Sequence, residues 1–259
     1  MAAEVKVALV TGVGSGIGRA TALRLAADGL HVVALGHRQG SADDAADEIR
    51  AAGGSALPLA ADVGDADAMR EVVQRIDDEL GRLDVVVANA GINGVWAPLE
   101  QIDPEEWRTT IATNLTGTFL TVRFAVPLLV RRGGAIVVVS SINGTRTFSN
   151  SGASAYATSK AGQLAFARMV AVELAPRRIR VNVVCPGAID TEISDNTEAR
   201  DTEGLGVRAQ YPDGPIPLTG SEPGTPEQVA DAIAFLASDS ASHVTGAELF
   251  VDGGQSLVV

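Results

Sequence analysis

Short apolar blocks alternate with longer amphipathic stretches along most of the chain, and that alternation predicts an α/β fold. Val5 to Val10 is an apolar strand signal interrupted only by Lys6, and it runs directly into a glycine-rich turn. Gly18 to Asp28 carries small and apolar residues at helical spacing and closes at Gly29. His31 to Leu35 reads as the second strand. Ser41 to Ala52 reads as a helix, with Ser41 as its N-cap, Asp43 and Asp44 in its first turn and Gly53 past its end. A short strand at Ala56 to Ala60, a helix at Ala66 to Leu80 and a valine-rich strand at Leu83 to Ala88 continue the series.

The second half repeats the theme. Asp103 and Pro104 form an N-cap and first-turn pair. A further helical piece covers Leu120 to Val130, which Pro127 is expected to bend or end. Ala135 to Val139 is a strand, Ala155 to Ala175 a long helix and Ile179 to Val184 another strand. Thr225-Pro226-Glu227-Gln228 is a capping box that opens a helix ending near Ser238, and Glu248 to Val251 is the last strand. Strands apolar on both faces and separated by helices imply a parallel sheet covered on both sides. No internal repeat or low-complexity linker breaks the pattern, so residues 1–259 read as one doubly wound domain. The one irregular stretch, Ile189 to Gly224, includes Thr191, Glu192 and Tyr211, and its length marks it as a substrate loop rather than a linker.

Composition narrows the partners. The chain is 46% hydrophobic and 20% charged with 28 glycines, enough for a sizeable core and too little charge for disorder. A net charge of −12 disfavours nucleic acid and anionic membrane surfaces. The single cysteine, Cys185, excludes an internal disulfide framework, and its place before Pro186 suits a buried small side chain. His31, His37 and His243 match no metal-ligand spacing, so no metal site is expected. Met1-Ala2-Ala3-Glu4 shows no leader pattern, and no apolar run approaches the roughly 18 residues of a membrane span. A cytoplasmic location is expected.

Specific chemistry enters at Thr11-Gly12-Val13-Gly14-Ser15-Gly16-Ile17-Gly18, between the first strand and the first helix. There a parallel α/β sheet sets a phosphate on a helix N-terminus, and glycines let the backbone approach a pyrophosphate without Cβ clashes. The spacing Gly-x-x-x-Gly-x-Gly through Gly12, Gly16 and Gly18 is joined by Asn89-Ala90-Gly91 after the fourth strand and by Tyr156-x-x-x-Lys160 later. Together these resemble the short-chain dehydrogenase/reductase family over essentially the whole chain. The resemblance implies a Rossmann-type sheet of about seven strands in the order 3-2-1-4-5-6-7. It implies a nicotinamide cofactor contacted by the glycine turn (Gly12, Ser15, Gly16, Ile17, Gly18), by Asp62 and Val63 at the adenine, and by Asn89, Ala90 and Gly91 along the cleft floor. Pro186, Gly187, Ile189 and Thr191 match the turn that holds the nicotinamide, and Tyr156 and Lys160 reach its ribose.

An acidic residue about 20 positions past the glycine turn accepts bonds from the ribose hydroxyls of NAD. Counting from Gly16 lands on Gly36, followed by His37 and Arg38. The missing carboxylate and the Arg38 guanidinium favour the 2′-phosphate of NADP over NAD. Two departures point the other way: Ser15 stands where NADP-binding relatives often carry a basic residue, and Arg38 falls one position late.

Tyr156 and Lys160, four apart on a helix, share a face. A free tyrosine titrates near about 10, and a neighbouring ammonium is expected to lower that value and make Tyr156 the general acid/base for an alcohol and its ketone or aldehyde. The resemblance adds Ser141, hydrogen-bonding the substrate oxygen, and Asn114, positioning a water for proton relay to the lysine. Ser141 lies 15 residues before Tyr156, where relatives have 13, so Ser140 and Asn143 remain rival assignments. Trp96 is equally placed for the substrate pocket or for a core or interface role. Arg131-Arg132 and Arg177-Arg178 read as solvated helix ends; gathered at the active-site mouth they would hold an acidic carrier or a phosphopantetheine substrate. The reading is an oxidoreductase acting on a small-molecule carbonyl or alcohol. Its alternatives are a 3-oxoacyl thioester reductase within the same chemistry and a non-catalytic nucleotide-binding redox sensor. The resemblance also implies a homotetramer on paired long helices, with Val251 to Gly254 near subunit contacts; the apolar residues Leu257-Val258-Val259 suit either burial against a neighbour or a frayed tail.

Overall fold

In the computed structural model of the chain, residues 4–193, 197–206 and 214–258 are described, which leaves Tyr211 and Val259 outside. The elements follow in chain order: β1 (Val7–Thr11), α1 (Gly16–Ala27), β2 (His31–Gly36), α2 (Gln39–Ala51), β3 (Ser55–Ala60), α3 (Ala66–Leu80), β4 (Val85–Ala88) and β5 (Gly94–Trp96). Then come α4 (Pro104–Ile111), α5 (Gly117–Leu129), β6 (Gly134–Val139), α6 (Ser154–Leu174), β7 (Ile179–Pro186), β8 (Thr197–Ala199), α7 (Pro226–Ala237) and β9 (Glu248–Val251). Seven strands form one parallel sheet in the order β3-β2-β1-β4-β6-β7-β9. Counted within that sheet alone this is 3-2-1-4-5-6-7, the expected Rossmann order.

Alternate residues of each strand feed two cores, as the two-residue period of a strand requires. Leu9, Val33, Val86, Ile136 and Val138 face one side, where Met69, Ile76, Leu129 and Leu174 of α3, α5 and α6 cover them. Ala8, Val10, Val32, Val87 and Val137 face the other, under Leu25, Ile49 and Ile233 of α1, α2 and α7.

Three local details differ from the sequence pattern. α2 begins two residues earlier than expected, with Arg38 as its N-cap, and the Ser41 hydroxyl donates to the Arg38 carbonyl (2.8 Å) from inside the first turn. Pro127 sits inside α5, two residues before its end, so it forfeits a single bond, to the Arg123 carbonyl, and the helix stops within a turn of it. α4 and α5 are joined through residues 112–116, a π-turn with Asn114 at its centre, rather than separated by a loop. The Asp103 cap is as expected, and a reciprocal bond from the Asp103 amide to Glu106 completes its box.

The irregular stretch also has structure. β8 pairs in parallel with β5, the segment just beyond Asn89-Ala90-Gly91, in a two-stranded sheet of its own. At its base the stretch is pinched shut, because Gly224 donates to Ala188 (3.0 Å) and Asp190 donates to Gly224 (2.9 Å).

The opposite end of the sheet is held by Asp84. Its carboxylate accepts the Val7 amide (2.8 Å) and two bonds from Arg82 (2.6 and 2.9 Å), with both side chains only 10–12% exposed. Replacing it leaves a nearly buried guanidinium with only the exposed Glu4 (3.0 Å) as partner and frees the start of β1. We expect Asp84→Ala to cost about 3–5 kcal/mol of stability in urea unfolding, and a loss below about 1 kcal/mol would remove the clamp from the account.

Candidate active site

The C-terminal ends of β1, β4, β6 and β7 converge, and every segment singled out for cofactor or chemistry lies there except the rim positions on β2 and β3. The glycine turn is packed backbone to backbone. A Cβ at Gly12 (φ +74°) would stand 2.9 Å from Ala90 Cα, one at Gly18 would overlap the Gly12 carbonyl, and one at Gly16 (φ +53°) would press on Thr191 at 3.0 Å. Gly12, Ser15, Gly16, Ile17, Gly18, Asn89, Ala90, Gly91 and Thr191, with Ile193, line a cavity of about 120 Å³ over the N-terminus of α1. These residues fit a dinucleotide. The cradle is one that side chains would fill, and it opens onto free backbone N–H groups at a helix start.

Its neighbours are fixed by hydrogen bonds. The Thr11 hydroxyl accepts the amides of Asn89 and Ala90 (3.0 Å each), and the Asn89 side chain donates back to the carbonyls of Thr11 (2.9 Å) and Gly12 (3.3 Å). At the rim, exposed Asp62 accepts the Gly64 amide (2.8 Å), and buried Val63 packs against Gly117. Gly36, Ser41 and Gly14 touch one another, and Arg38 is exposed beside them, with no carboxylate partner among the described residues. Sequence reasoning missed Ser41 here, because its contact with Gly14 is a tertiary one.

On the far side, Pro186 ends β7 and its carbonyl accepts the Ile142 amide (2.9 Å). Gly187 abuts Asp252, and Ala188 donates to Gln255 Oε1 (2.8 Å). The segment after β9 thus supports the turn through Ile189 and Thr191, a role no local motif announces.

Between cradle and turn lie four side chains, each buried to within 7% of full. Tyr156 and Lys160 project from α6, with the Lys160 ammonium 5.5 Å from the Tyr156 ring centroid and donating to the Val139 carbonyl (3.0 Å). Ser141, just past β6, puts its hydroxyl within hydrogen-bonding reach of the phenol and accepts the Asn143 amide (3.1 Å). Ser140 instead donates to the Lys160 carbonyl (2.9 Å), and Asn143 accepts from Asn150 (3.0 Å), so both rivals to Ser141 are engaged elsewhere. Asn114 accepts the Ile92 amide (2.8 Å) and donates to the Ile92 carbonyl (2.9 Å) and the Ser159 hydroxyl (3.0 Å).

Comparison with known proteins places this arrangement. A family model described as Enoyl-(Acyl carrier protein) reductase matches residues 12–256. A crystal structure of a 3-ketoacyl-ACP reductase from Sinorhizobium meliloti is 56% identical, with a TM-score of 0.94 over 98% of this chain and 100% of that one. A Brucella melitensis 3-ketoacyl-(acyl-carrier-protein) reductase, solved in complex with NADH, is 32% identical (TM-score 0.85, 98% and 99% covered). The cis-4-hydroxycyclohexanecarboxylate dehydrogenase of Sinomonas cyclohexanicum is 44% identical over 98% of this chain and 97% of its own. The chain belongs to the short-chain dehydrogenase/reductase family. It is a nicotinamide-dependent oxidoreductase acting on CH–OH groups and the corresponding carbonyls.

Within this dehydrogenase/reductase, burial outweighs the expected effect of Lys160 on Tyr156. Loss of solvent pushes the phenol above its ordinary value, and the Ser141 hydroxyl opposes that rise. Lys160 is itself shifted, down to about 8 from an ordinary 10.5, because its ammonium is buried. Cys185, at the end of β7, is pushed up to about 12 by burial, which makes it inert as a nucleophile.

The four arginines do not gather at the mouth. Arg131, Arg132 and Arg178 flank the starts of β4, β6 and β7 beside Asp84, at the end of the sheet opposite Ser141, and Arg177 directly precedes Arg178. Arg131 grips Asp77 through two bonds (2.6 and 2.7 Å) and Arg132 binds Glu4 (2.7 Å). They are structural ends of α5 and α6, too far round the molecule to hold a substrate. Among the described residues, no cluster of potential metal ligands occurs and no helix is long and apolar enough to cross a membrane.

The Lys160 shift has a consequence for stability. Between pH 8 and 10.5 the unfolded chain holds a proton on Lys160 that the folded chain has released, so native stability rises with pH across that window. Lys160→Met abolishes this dependence. Its stability relative to the native chain should be most favourable below pH 8 and fall by about 3 kcal/mol by pH 10.5. Parallel denaturation curves for the two chains from pH 7 to 10.5 would expose an error.

Proposed function

We propose that this enzyme uses NADP(H) to interconvert a small free ketone and its secondary alcohol, with Tyr156 transferring the proton. The observation that carries the reading is the buried cluster of Tyr156, Ser141 and Lys160 set directly beside the glycine cradle. When bound, the nicotinamide supplies or accepts the hydride. Tyr156 protonates the oxygen as the carbonyl is reduced and takes the proton back in the other direction. Ser141 holds that oxygen by a hydrogen bond that strengthens as negative charge develops on it. Lys160 orients the ribose and, once protonated, favours the phenolate. Gly12, Ser15, Gly16, Ile17 and Gly18 hold the pyrophosphate, Asp62 and Val63 the adenine, and Asn89 to Gly91 the floor. Pro186, Gly187, Ile189 and Thr191 hold the nicotinamide.

NADP is favoured over NAD by the end of β2. A carboxylate at Gly36 would collide with Ser41, whose hydroxyl lies 2.8 Å from the nearest side-chain position there. Arg38, exposed and without a carboxylate partner among the described residues, is the cation at hand for a 2′-phosphate.

A free substrate is favoured over a carrier-bound one by charge. In sequence, residues 189–224 hold eight carboxylates against two arginines, a balance that disfavours an acidic carrier protein. Of those arginines, Arg200 is bound to Glu106 (2.8 Å). A relative named for a ring alcohol, the cis-4-hydroxycyclohexanecarboxylate dehydrogenase, supports an alicyclic substrate. The enzyme works in the cytoplasm as a homotetramer: the outer faces of α5 and α6 expose Phe119 (41%), Met169 (75%) and Val172 (78%), a stripe suited to a second copy. Light scattering reads that assembly directly.

Initial rates with NADPH and NADH against a panel of alicyclic ketones and 3-oxoacyl thioesters, free and carrier-bound, test the reading. Tyr156→Phe should lower kcat by about 10²–10⁴-fold and leave cofactor binding, followed by fluorescence, unchanged. Binding without turnover in the native chain would favour the redox-sensor alternative. Arg38→Ala should cut kcat/KM for NADPH about tenfold and leave NADH within twofold. An equal loss with both cofactors would refute the assignment of Arg38.

A further inference from the structure

Gln163 lies on α6 one turn beyond Ser159 and is fully buried. Its Nε2 donates to the Asn114 carbonyl (2.9 Å) and to the Thr118 hydroxyl (2.8 Å), and the Thr118 hydroxyl donates to that same carbonyl (2.7 Å). The amide cannot be turned over, because Oε1 would then face the carbonyl oxygen with no proton between them. Among the described residues, Oε1 itself accepts from no protein group.

A buried amide left half satisfied is costly, so its presence needs a reason. The reason lies in what Asn114 does. Its side chain is consumed by Ile92, at the end of the cleft floor, and by Ser159, which in turn donates to the Tyr156 carbonyl (2.7 Å). Asn114 therefore joins the floor to α6. Ser140, bonded to the Lys160 carbonyl (2.9 Å), pins α6 from the β6 side, whereas Ser159 is the one point at which the Asn114 side chain holds it. Gln163 supplies a second grip one turn away, and Tyr156 and Lys160 stand on the same two turns. The floor and the lysine are close: a Cβ on Gly91 would lie 3.3 Å from Asn114 Oδ1 and 3.6 Å from Lys160 Nζ.

We propose that Gln163 is a positioning residue for catalysis: its amide clamps the π-turn carbonyl of Asn114 and so sets the rotation of α6 that aims Tyr156 and Lys160 at the reacting centre. Misplacement of a reacting group by about 1 Å is enough to cost on the order of 10²-fold in rate. A partial loss of this clamp should therefore appear in kcat before it appears in binding.

The proposal rests on the Tyr156 proton transfer, and the test reads variants as ratios to a native rate taken in parallel. A native chain without carbonyl turnover would count against the reading of function; a native chain that turns over and a variant that matches it would count against Gln163. Gln163→Leu removes both polar atoms at similar volume. It should lower kcat about tenfold with the KM for cofactor within twofold, and it should displace the pH profile of kcat/KM, to which the neighbouring Tyr156 and Lys160 contribute. Gln163→Glu keeps the shape. As a neutral acid it still donates to the Asn114 carbonyl, and as a carboxylate it repels it. Its activity should approach the native rate at acid pH and fall, relative to native, as the carboxyl ionises. That comparison also stands if Gln163→Leu fails to fold. Variants with native kcat and native pH profiles, or with changes confined to thermal stability, would overturn the proposal.

Discussion

Thr11 and Asn89 bind the ends of β1 and β4 to each other through four hydrogen bonds, and the rest of the site depends on that knot. Two amides converge on one hydroxyl, and one side-chain amide returns to two carbonyls. The Asn89 side chain lies 3.0 Å from where a Gly12 Cβ would stand, so the knot also fills the space that glycine leaves open. The cradle on one strand and the floor on the next are held as a single piece. Both pieces are backbone, and their spacing is set by two side chains, Thr11 and Asn89, each fixed by the bonds it makes. A phosphate-binding turn needs that property, because its donors are main-chain N–H groups aimed by the turn itself.

The catalytic cluster is built on the opposite plan. Its side chains are buried and polar, and each is held by another polar group, so the cost of burial is offset only while the network stays complete. Lys160 shows the strain of this arrangement. Its one fixed acceptor is the Val139 carbonyl, and burial draws its pKa down to about 8, near the working range of a proton-transfer group. Tyr156 is displaced upward by the same burial. The two values, ordinarily close, are driven apart by burial, Tyr156 upward and Lys160 downward, so both groups are pressed toward their neutral forms.

What the sequence made legible was local. The glycine turn, the Asp103 cap, the capping box at Thr225 and the Tyr156/Lys160 pair each occupy a few consecutive residues with one physical role, and each has its expected neighbour in the fold. What escaped was set by distant partners. Ser41 is hydroxyl-bonded within its own helix turn because Gly36 and Gly14 crowd it from elsewhere. The π-turn at Asn114 has no composition of its own; it exists because Ile92, Ser159 and Gln163 reward it from three directions. That Arg131, Arg132 and Arg178 gather beside Asp84 could not be read from two separate pairs, since strand order is what brings the starts of β4, β6 and β7 together. The direction of the Tyr156 shift was misjudged for the same reason. The charge of Lys160 could be read from the chain, whereas the depth of its burial could not.

The loop over the site joins both plans. Its base is shut by backbone bonds between Ala188, Asp190 and Gly224, and its first residues, Thr191 and Ile193, line the glycine cradle, so its start is tied to that cavity. Its span is anchored farther out, where Thr197 accepts from Asn93 (2.7 Å), β8 pairs with β5, and Arg200 binds Glu106. Those anchors reach the chain just after the floor residues and lie apart from the glycine cradle. A family that keeps one proton and one hydride chemistry while accepting many carbonyls needs this separation. The relatives of this chain differ in the substrates they are named for and keep the same sheet. The acidic balance of residues 189–224 and the fixed geometry at Gly12, Asn89 and Tyr156 are thus carried by different parts of the chain.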